Sequence, residues 1–214
     1  MIARGALVLL AVALLGAGAA SGEPAIVRVR LVTGAGAIVV AVDTRHAPAT
    51  SANFLAYVDD GRLDDTEFYR ASRRKGAETQ GFVQGGIGTN ARRMLGRVPF
   101  EPTGRTGLRH VDGAISMARY EALDSATGNF SLMVGANPAM DARDGYPGYA
   151  VFGRVVGGMD VVRRMLAQPT SPGGDGAFKG QMLVRPVRIV RAERLDGTAK
   201  PTGQPKVWLL FKGM

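Results

Sequence analysis

Thr66-Glu67-Phe68-Tyr69-Arg70, a basic connection, and then Gly81-Phe82-Val83-Gln84-Gly85-Gly86-Ile87-Gly88 form the stretch that decides the fold of this 214-residue chain. Two short β-type runs flank a charged loop, and the second ends in a glycine cluster where backbone passes close to a neighbour. Within the first run only Arg70 is a multidentate donor whose charge is permanent near neutral pH. Arg70 is therefore the candidate for chemistry, against the plainer reading of a solvated strand arginine.

Composition narrows what that chemistry can be. The chain contains no cysteine, which removes disulfides, thiol catalysis and a lipid-modified cysteine. His46 and His110 are far apart in sequence, with no acidic neighbour at ligand spacing, so neither a metal site nor a histidine-based triad is expected. A formal net charge of +9 permits an anionic partner. The basic residues are scattered without interleaved aromatics, however, so no nucleic-acid partner is expected.

Outward from the central stretch, the preceding segment alternates Val27, Val29 and Leu31 with Arg28 and Arg30, the period of a half-buried strand. A Gly-containing turn at 33–36 returns the chain through Ala37 to Val42, giving a hairpin. Pro48 can open a helix that buries Phe54, Leu55 and Val58, and Gly61 can close it. After a Gly/Pro/Arg-rich loop from Ala91 to His110, strands are expected over Gly113–Ala118, Asn129–Val134, Tyr149–Val155 and Val184–Leu195. A second short helix carries Val161, Val162, Met165 and Leu166 and stops before Pro169. Many short strands with two helices set apart predict a mainly β fold, a closed antiparallel barrel with helices at its ends. Gly86-Ile87-Gly88-Thr89-Asn90-Ala91 fits a dinucleotide fingerprint, but no helix of useful length can follow before Gly96 and Pro99.

The ends are read separately. Residues 1–20 combine Arg4, an apolar run from Ala6 to Leu15 and the small residues Ala17-Gly18-Ala19, the pattern of a secretory signal peptide. The run is shorter than the about 20 residues of a membrane span. Export, to a periplasm, is the expectation, with no stable membrane anchor after cleavage. Residues 24–196 form the folded domain. The 197–214 tail is polar to Lys206 and apolar from Val207 to Phe211, and it either adds an edge strand or docks on the barrel.

From Ile26 to Leu195 the ordered motifs resemble a cyclophilin. They are Asn53-Phe54 within the first helix, Phe68-Tyr69-Arg70, Gln84-Gly85-Gly86, Ile115-Ser116-Met117-Ala118, Gly128-Asn129-Phe130, Tyr149 to Gly153, and Gly158-Met159-Asp160. Ala118-Arg119 and Asp124-Ser125-Ala126-Thr127 look closest to the periplasmic bacterial branch. The resemblance implies an eight-stranded barrel with two helices. It also implies peptidyl-prolyl cis-trans isomerase activity on proline-containing peptides and unfolded exported proteins, without cofactor or metal, by a monomer. The alternative within the same fold is a peptide-binding or chaperone-like module of weak or no activity.

Matched to the family motif, Arg70 is the catalytic residue. Tyr69, Phe82, Gln84, Ala118, Asn129, Ser131, Met140 and Tyr149 are the substrate-binding residues, with Gln84 and Asn129 on the substrate backbone. The chain also departs from the pattern. Tyr69 replaces a histidine, Asn129 a glutamine, and Ser131 the second phenylalanine of a pair that walls the proline pocket. The segment from Gly81 to Gln84 is one residue short, so Phe82 fills either of two family positions, or faces the wrong side. Ala139 stands where an aromatic is frequent, leaving Met140 as the apolar wall. A shallower, more polar pocket is expected.

Overall fold

The computed structural model describes residues 23–211, and the signal-peptide reading lies outside them. Among the described residues nine strands form: β1 Ile26–Thr33, β2 Gly36–Asp43, β3 Thr66–Arg74, β4 Ala77–Gly86, β5 Ala114–Met117, β6 Asn129–Val134, β7 Ala150–Gly157, β8 Thr170–Ser171 and β9 Met182–Arg194. Their antiparallel order is β1-β2-β7-β5-β6-β4-β3-β9, and β9 pairs back onto β1 to close an eight-stranded barrel. The two-residue β8 only lengthens a hairpin with β9. Closure follows from the alternation: Val27, Val29 and Leu31 on β1 face Ile38, Val40 and Val42 on β2 inside one continuous core.

Helix α1, Pro48–Asp59, covers part of the core with Phe54, whose ring centroid lies 5.4 Å from Phe130 and 5.2 Å from Phe152. Such ring pairs contribute about 0.5–1.5 kcal/mol each beyond area burial. Ala47 offers no capping side chain, and the orphan N–H groups of Ala49 and Thr50 are met instead by the buried Glu101 carboxylate, 3.1 and 2.7 Å away. Gly61, at φ 67°, turns the chain out of the helix. Helix α3, Met159–Leu166, buries Val161, Val162, Met165 and Leu166, as its spacing predicts. A third, one-turn helix α2, Thr103–Thr106, lies within the segment expected as plain loop.

One expectation about the central stretch changes. The basic connection is mostly strand, since β3 runs to Arg74 and β4 starts at Ala77, leaving a tight turn in which Gly76 takes φ 78°. The glycine cluster is as close-packed as expected. A Cβ on Gly86 would lie 2.1 Å from the Gly128 carbonyl oxygen, and one on Gly85 2.7 Å from the Phe68 ring. Only the 3-10 turn Ala91–Arg93 follows it, so no helix N-terminus stands behind the dinucleotide-like motif.

The described part of the tail, to residue 211, docks and adds no edge strand. Thr202 donates from its N–H and hydroxyl to Asp60, and the 3-10 turn Val207–Phe211 inserts Trp208 beside the guanidinium groups of Arg62 and Arg93. Among the described residues no helix is long and apolar enough to cross a membrane, and no group of three or more His, Cys, Asp or Glu could hold a metal ion.

Candidate functional site

The site is a row of outward side chains across four neighbouring strands. Cross-strand register places Ser116 of β5 opposite Ser131 of β6, Ser131 opposite Gln84 of β4, and Gln84 opposite Arg70 of β3. At about 4.8 Å per strand the row spans about 14 Å. Val83, Leu132 and Ile115 alternate with these residues and point into the core. One step along the strands an apolar patch lies beside the row: Ala114, Met133 and Val151, with Phe82, Leu108 and Met140 packed on it. Phe82 therefore faces the same side as Gln84, so the shortened motif does not turn it to the wrong side.

A β-bulge produces the Arg70 end. Phe68 and Ala71 are both in the core although they are three residues apart, so one extra residue must be accommodated between them. The register of β3 shifts between Phe68 and Arg70 against both β4 and β9, and both Tyr69 and Arg70 reach Gln84. Gln84 donates to the Tyr69 hydroxyl at 3.0 Å and accepts from Arg70 Nη1 at 2.9 Å. Burial pushes the Tyr69 hydroxyl up to about 12, so it stays a neutral phenol.

The arginine is held on several sides. Nε donates to Gln181 Oε1 at 2.8 Å and Nη2 to the Ala177 carbonyl at 2.9 Å. The Phe82 and Phe178 ring centroids lie 5.1 and 4.5 Å from its guanidinium carbon. Burial lowers the pKa of Arg70, yet a guanidinium remains charged. Of its five N–H groups, two have no partner among the described residues, one on each terminal nitrogen. A cation with a fixed orientation and two unspent donors thus stands beside an apolar patch.

At the other end of the row the structure corrects an expectation drawn from histidine spacing. His110 has an acidic neighbour after all: Nδ1 lies 2.7 Å from Asp141 Oδ1, and Nε2 lies 2.9 Å from Ser116 Oγ. Burial, partly opposed by Asp141, lowers the His110 pKa, so the ring is neutral at pH 7 and accepts from the Ser116 hydroxyl. This is no nucleophilic triad. Ser116 is 1% exposed in mid-strand, with its backbone in the sheet ladder, so a substrate carbonyl has no access to its hydroxyl. The His110 carbonyl also accepts from Asn137 N at 2.7 Å, so the histidine pins the Pro138–Met140 turn and with it Met140 against the patch. Sequence reasoning missed this brace because His110 and Asp141 are 31 positions apart.

The remaining candidates lie along this row and beside the patch, a surface called the groove below. Ser131 is 4% exposed, between Ser116 and Gln84, and its hydroxyl has no hydrogen-bond partner among the described residues. The Asn129 amide bonds both main-chain groups of Gly88, at 2.7 and 2.8 Å, and so braces the glycine turn. Ala118 follows β5 and donates its N–H to the Asn129 carbonyl at 2.9 Å. Tyr149 N donates to the Met140 carbonyl at 3.1 Å, which ties the Tyr149 segment to the same turn. The Arg119 guanidinium lies against the Tyr149 and Phe100 rings.

The chain is similar to known proteins along most of its length. The family described as "Cyclophilin type peptidyl-prolyl cis-trans isomerase/CLD" matches residues 28–194. Peptidyl-prolyl cis-trans isomerase A of Dickeya dadantii is 38% identical over 137 residues, 64% of this chain and 70% of the relative. A peptidyl-prolyl cis-trans isomerase of Streptomyces antibioticus is 34% identical over 171 residues, 78% of this chain and 98% of the relative. Among solved structures, a cyclophilin type isomerase of Cryptosporidium parvum, crystallised in the presence of the dipeptide Ala-Pro, superposes with TM-score 0.61 at 19% identity. That superposition covers 79% of this chain and 99% of that one.

Proposed function

The chain belongs to the cyclophilin-type family of peptidyl-prolyl cis-trans isomerases, and from that premise we propose that Arg70 catalyses rotation of X-Pro bonds in exported proteins while they fold. The enzyme class follows from the family. The role of each residue and the choice of client are our reading.

The single observation that carries the mechanism is Arg70, held by three hydrogen bonds and left with two N–H groups that have no partner among the described residues, beside the Phe82, Met133 and Met140 patch. An X-Pro amide rotates slowly because its resonance must be broken, with a barrier of about 18–20 kcal/mol. At the twisted transition state the prolyl nitrogen pyramidalises and gains a lone pair. With the proline ring on the apolar patch, an Arg70 N–H donates to that lone pair, an interaction absent from both planar ground states. Gln84 and Gln181 keep the guanidinium in place, so no reorganisation is required at the moment of rotation. Gln84 and Asn129 each retain an amide N–H for the substrate backbone. No proton is transferred and no bond is broken, so neither a nucleophile nor a base is needed. NMR exchange spectroscopy on an Ala-Pro peptide tests the activity: exchange is expected to accelerate at catalytic protein concentrations, and an unchanged rate would remove the enzyme reading.

The alternative of a binding module of weak activity is favoured by one residue, Ser131, whose hydroxyl stands in the row where an aromatic wall is expected. A phenyl ring there would offer the proline about 40–80 Å² of additional contact, or about 1–2 kcal/mol at about 25 cal/mol per Å². Ser131→Phe is therefore expected to raise kcat/KM on Ala-Pro peptides about 5- to 30-fold, provided the ring enters without overpacking. A folded variant with unchanged or lower activity would show that this wall does not touch proline.

The exported clients rest on the first 20 residues, whose charge, apolar run and small residues match a cleaved signal. Mass spectrometry of the protein recovered from outside the cytoplasm is expected to give an N-terminus between Ala20 and Glu23. A chain that retains Met1 and stays with the membrane or the cytoplasm would overturn the localisation.

A further inference from the structure

We propose that Phe178 forms an apolar subsite at the outer margin of the groove and selects, in the isomerase substrate, the side chain that follows the proline; the inference rests on the reading of Arg70 given above. Phe178 lies in the connection between β8 and β9, Pro172 to Gln181, whose other residues are Gly, Pro, Ala, Asp, Lys and Gln. It is thus the only large apolar side chain of that loop. Although 39% exposed, it is not loosely placed. Phe178 N donates to the Asp175 carbonyl, Gln181 N to the Phe178 carbonyl and Gly180 N to the Gly173 carbonyl, at 3.0, 3.0 and 2.9 Å. The loop is closed on itself and fastened to the barrel by Ala71 N on the Gln181 carbonyl, and by Arg70 on the Ala177 carbonyl and the Gln181 side chain.

A ring held this way and left half in water presents a fixed apolar face next to the reacting centre. Its occupant depends on the direction in which the peptide runs, which is part of the proposal. Across the groove the strand order is β5, β6, β4, β3, β9, with Ala118 at the end of β5 on one margin, Arg70 on β3, and Phe178 leading into β9 on the other. A peptide whose prolyl nitrogen is at Arg70, and whose preceding residue lies toward Ala118, carries its following residue onto Phe178. The chemistry it would recognise is a large aliphatic or aromatic side chain, by contact with the ring. The loss of apolar wall at Ser131 on the inner side makes this outer contact a larger share of the apolar grip on the peptide.

The test uses the full folded domain and peptides Ala-Pro-X with X as Phe, Leu or Ala, and a second series in which the residue before proline is varied. Wild type is expected to prefer Phe or Leu over Ala at X by about five- to tenfold in kcat/KM, the scale of a partly buried side-chain contact. In Phe178→Ala that ratio should collapse toward one, whatever loss is common to all peptides, and in Phe178→Leu it should largely return. Preferences in the second series should not move. An equal loss on every X would show that Phe178 only positions Arg70, and a ratio surviving in Phe178→Ala, or a shift confined to the residue before proline, would equally overturn the subsite. Should wild type accelerate no peptide, the isomerase reading fails by itself. The same ratio of X preferences is then read from dissociation constants, where its absence overturns the subsite too.

Discussion

Arg70→Ala is expected to lower kcat/KM on an Ala-Pro peptide about 100- to 1000-fold, the effect of deleting one donor aimed at developing charge, about 2.7–4 kcal/mol. The proposed bond to the prolyl nitrogen exists only when that nitrogen is pyramidal, so the loss should fall on kcat, with peptide affinity changing far less. Arg70→Lys is not expected to restore the rate. An ammonium cannot keep the fork that bonds Gln181, Gln84 and the Ala177 carbonyl at once while still offering an N–H to the substrate. Exchange rates and titrated shifts from one peptide series separate the outcomes. Equal losses in binding and turnover would make Arg70 a ligand holder, and no loss at all would favour the binding-module reading, to which Ser131 already points.

How much of this was legible in the chain differs by residue, for identifiable reasons. The Val27, Val29, Leu31 alternation, the Pro48 helix start and the Val161 to Leu166 face are local patterns with one physical solution each, and the structure keeps them. Residue type and motif order point to Arg70, Gln84 and Tyr69, and the structure brings all three within hydrogen-bond reach. The device that unites them is a bulge, visible only when Phe68 and Ala71 are both seen in the core. A strand register cannot be read from one strand alone, and a single extra residue reverses which side chains face out.

Long-range pairs were the least legible. Sequence spacing leaves His110 isolated, because its partner Asp141 is brought in by the turn that carries Met140, and nothing local to either residue announces the pair. Phe178 lies in a run of Gly, Pro and Ala that reads as featureless loop, and its placement depends on the Arg70 donor reaching Ala177 from another strand. The sequence of the tail permits either an edge strand or docking. Docking prevails because Trp208 finds two guanidinium groups to lie against, and Asp60 accepts from Thr202.

Those guanidinium groups carry the second large effect: Arg62→Ala is expected to destabilise the protein by about 3–5 kcal/mol, the cost of removing one partner of a buried ion pair. Arg62 and Asp60 are each 1% exposed, and Arg62 Nε donates to Asp60 Oδ2 at 2.8 Å. The terminal nitrogens of Arg62 reach the carbonyls of Arg93, Gln204 and Pro205 at 3.3, 3.5 and 3.4 Å, so one side chain ties the end of α1, the glycine-cluster loop and the tail. At about 2–4 °C per kcal/mol for a domain of this size, Tm should fall about 6–20 °C. Trp208 is the only tryptophan of the chain, so a red-shifted emission at temperatures where the barrel is still folded would report release of the tail. The deficit should also depend on pH. Burial pushes the Asp60 carboxyl up, but its bonds from Thr202 and Arg62 outweigh that and hold it below the usual carboxylate range. A lowered folded-state value contributes stability above the unfolded pKa of about 3.9 and loses it as pH falls through the folded value. The gap between wild type and Arg62→Ala should therefore be full near pH 7 and narrow in acid. A Tm within about 2 °C of wild type at pH 7 would show that the pair contributes no more than an exposed one, and a large fall in Tm with wild-type Trp208 emission would show that Arg62 acts within the barrel alone.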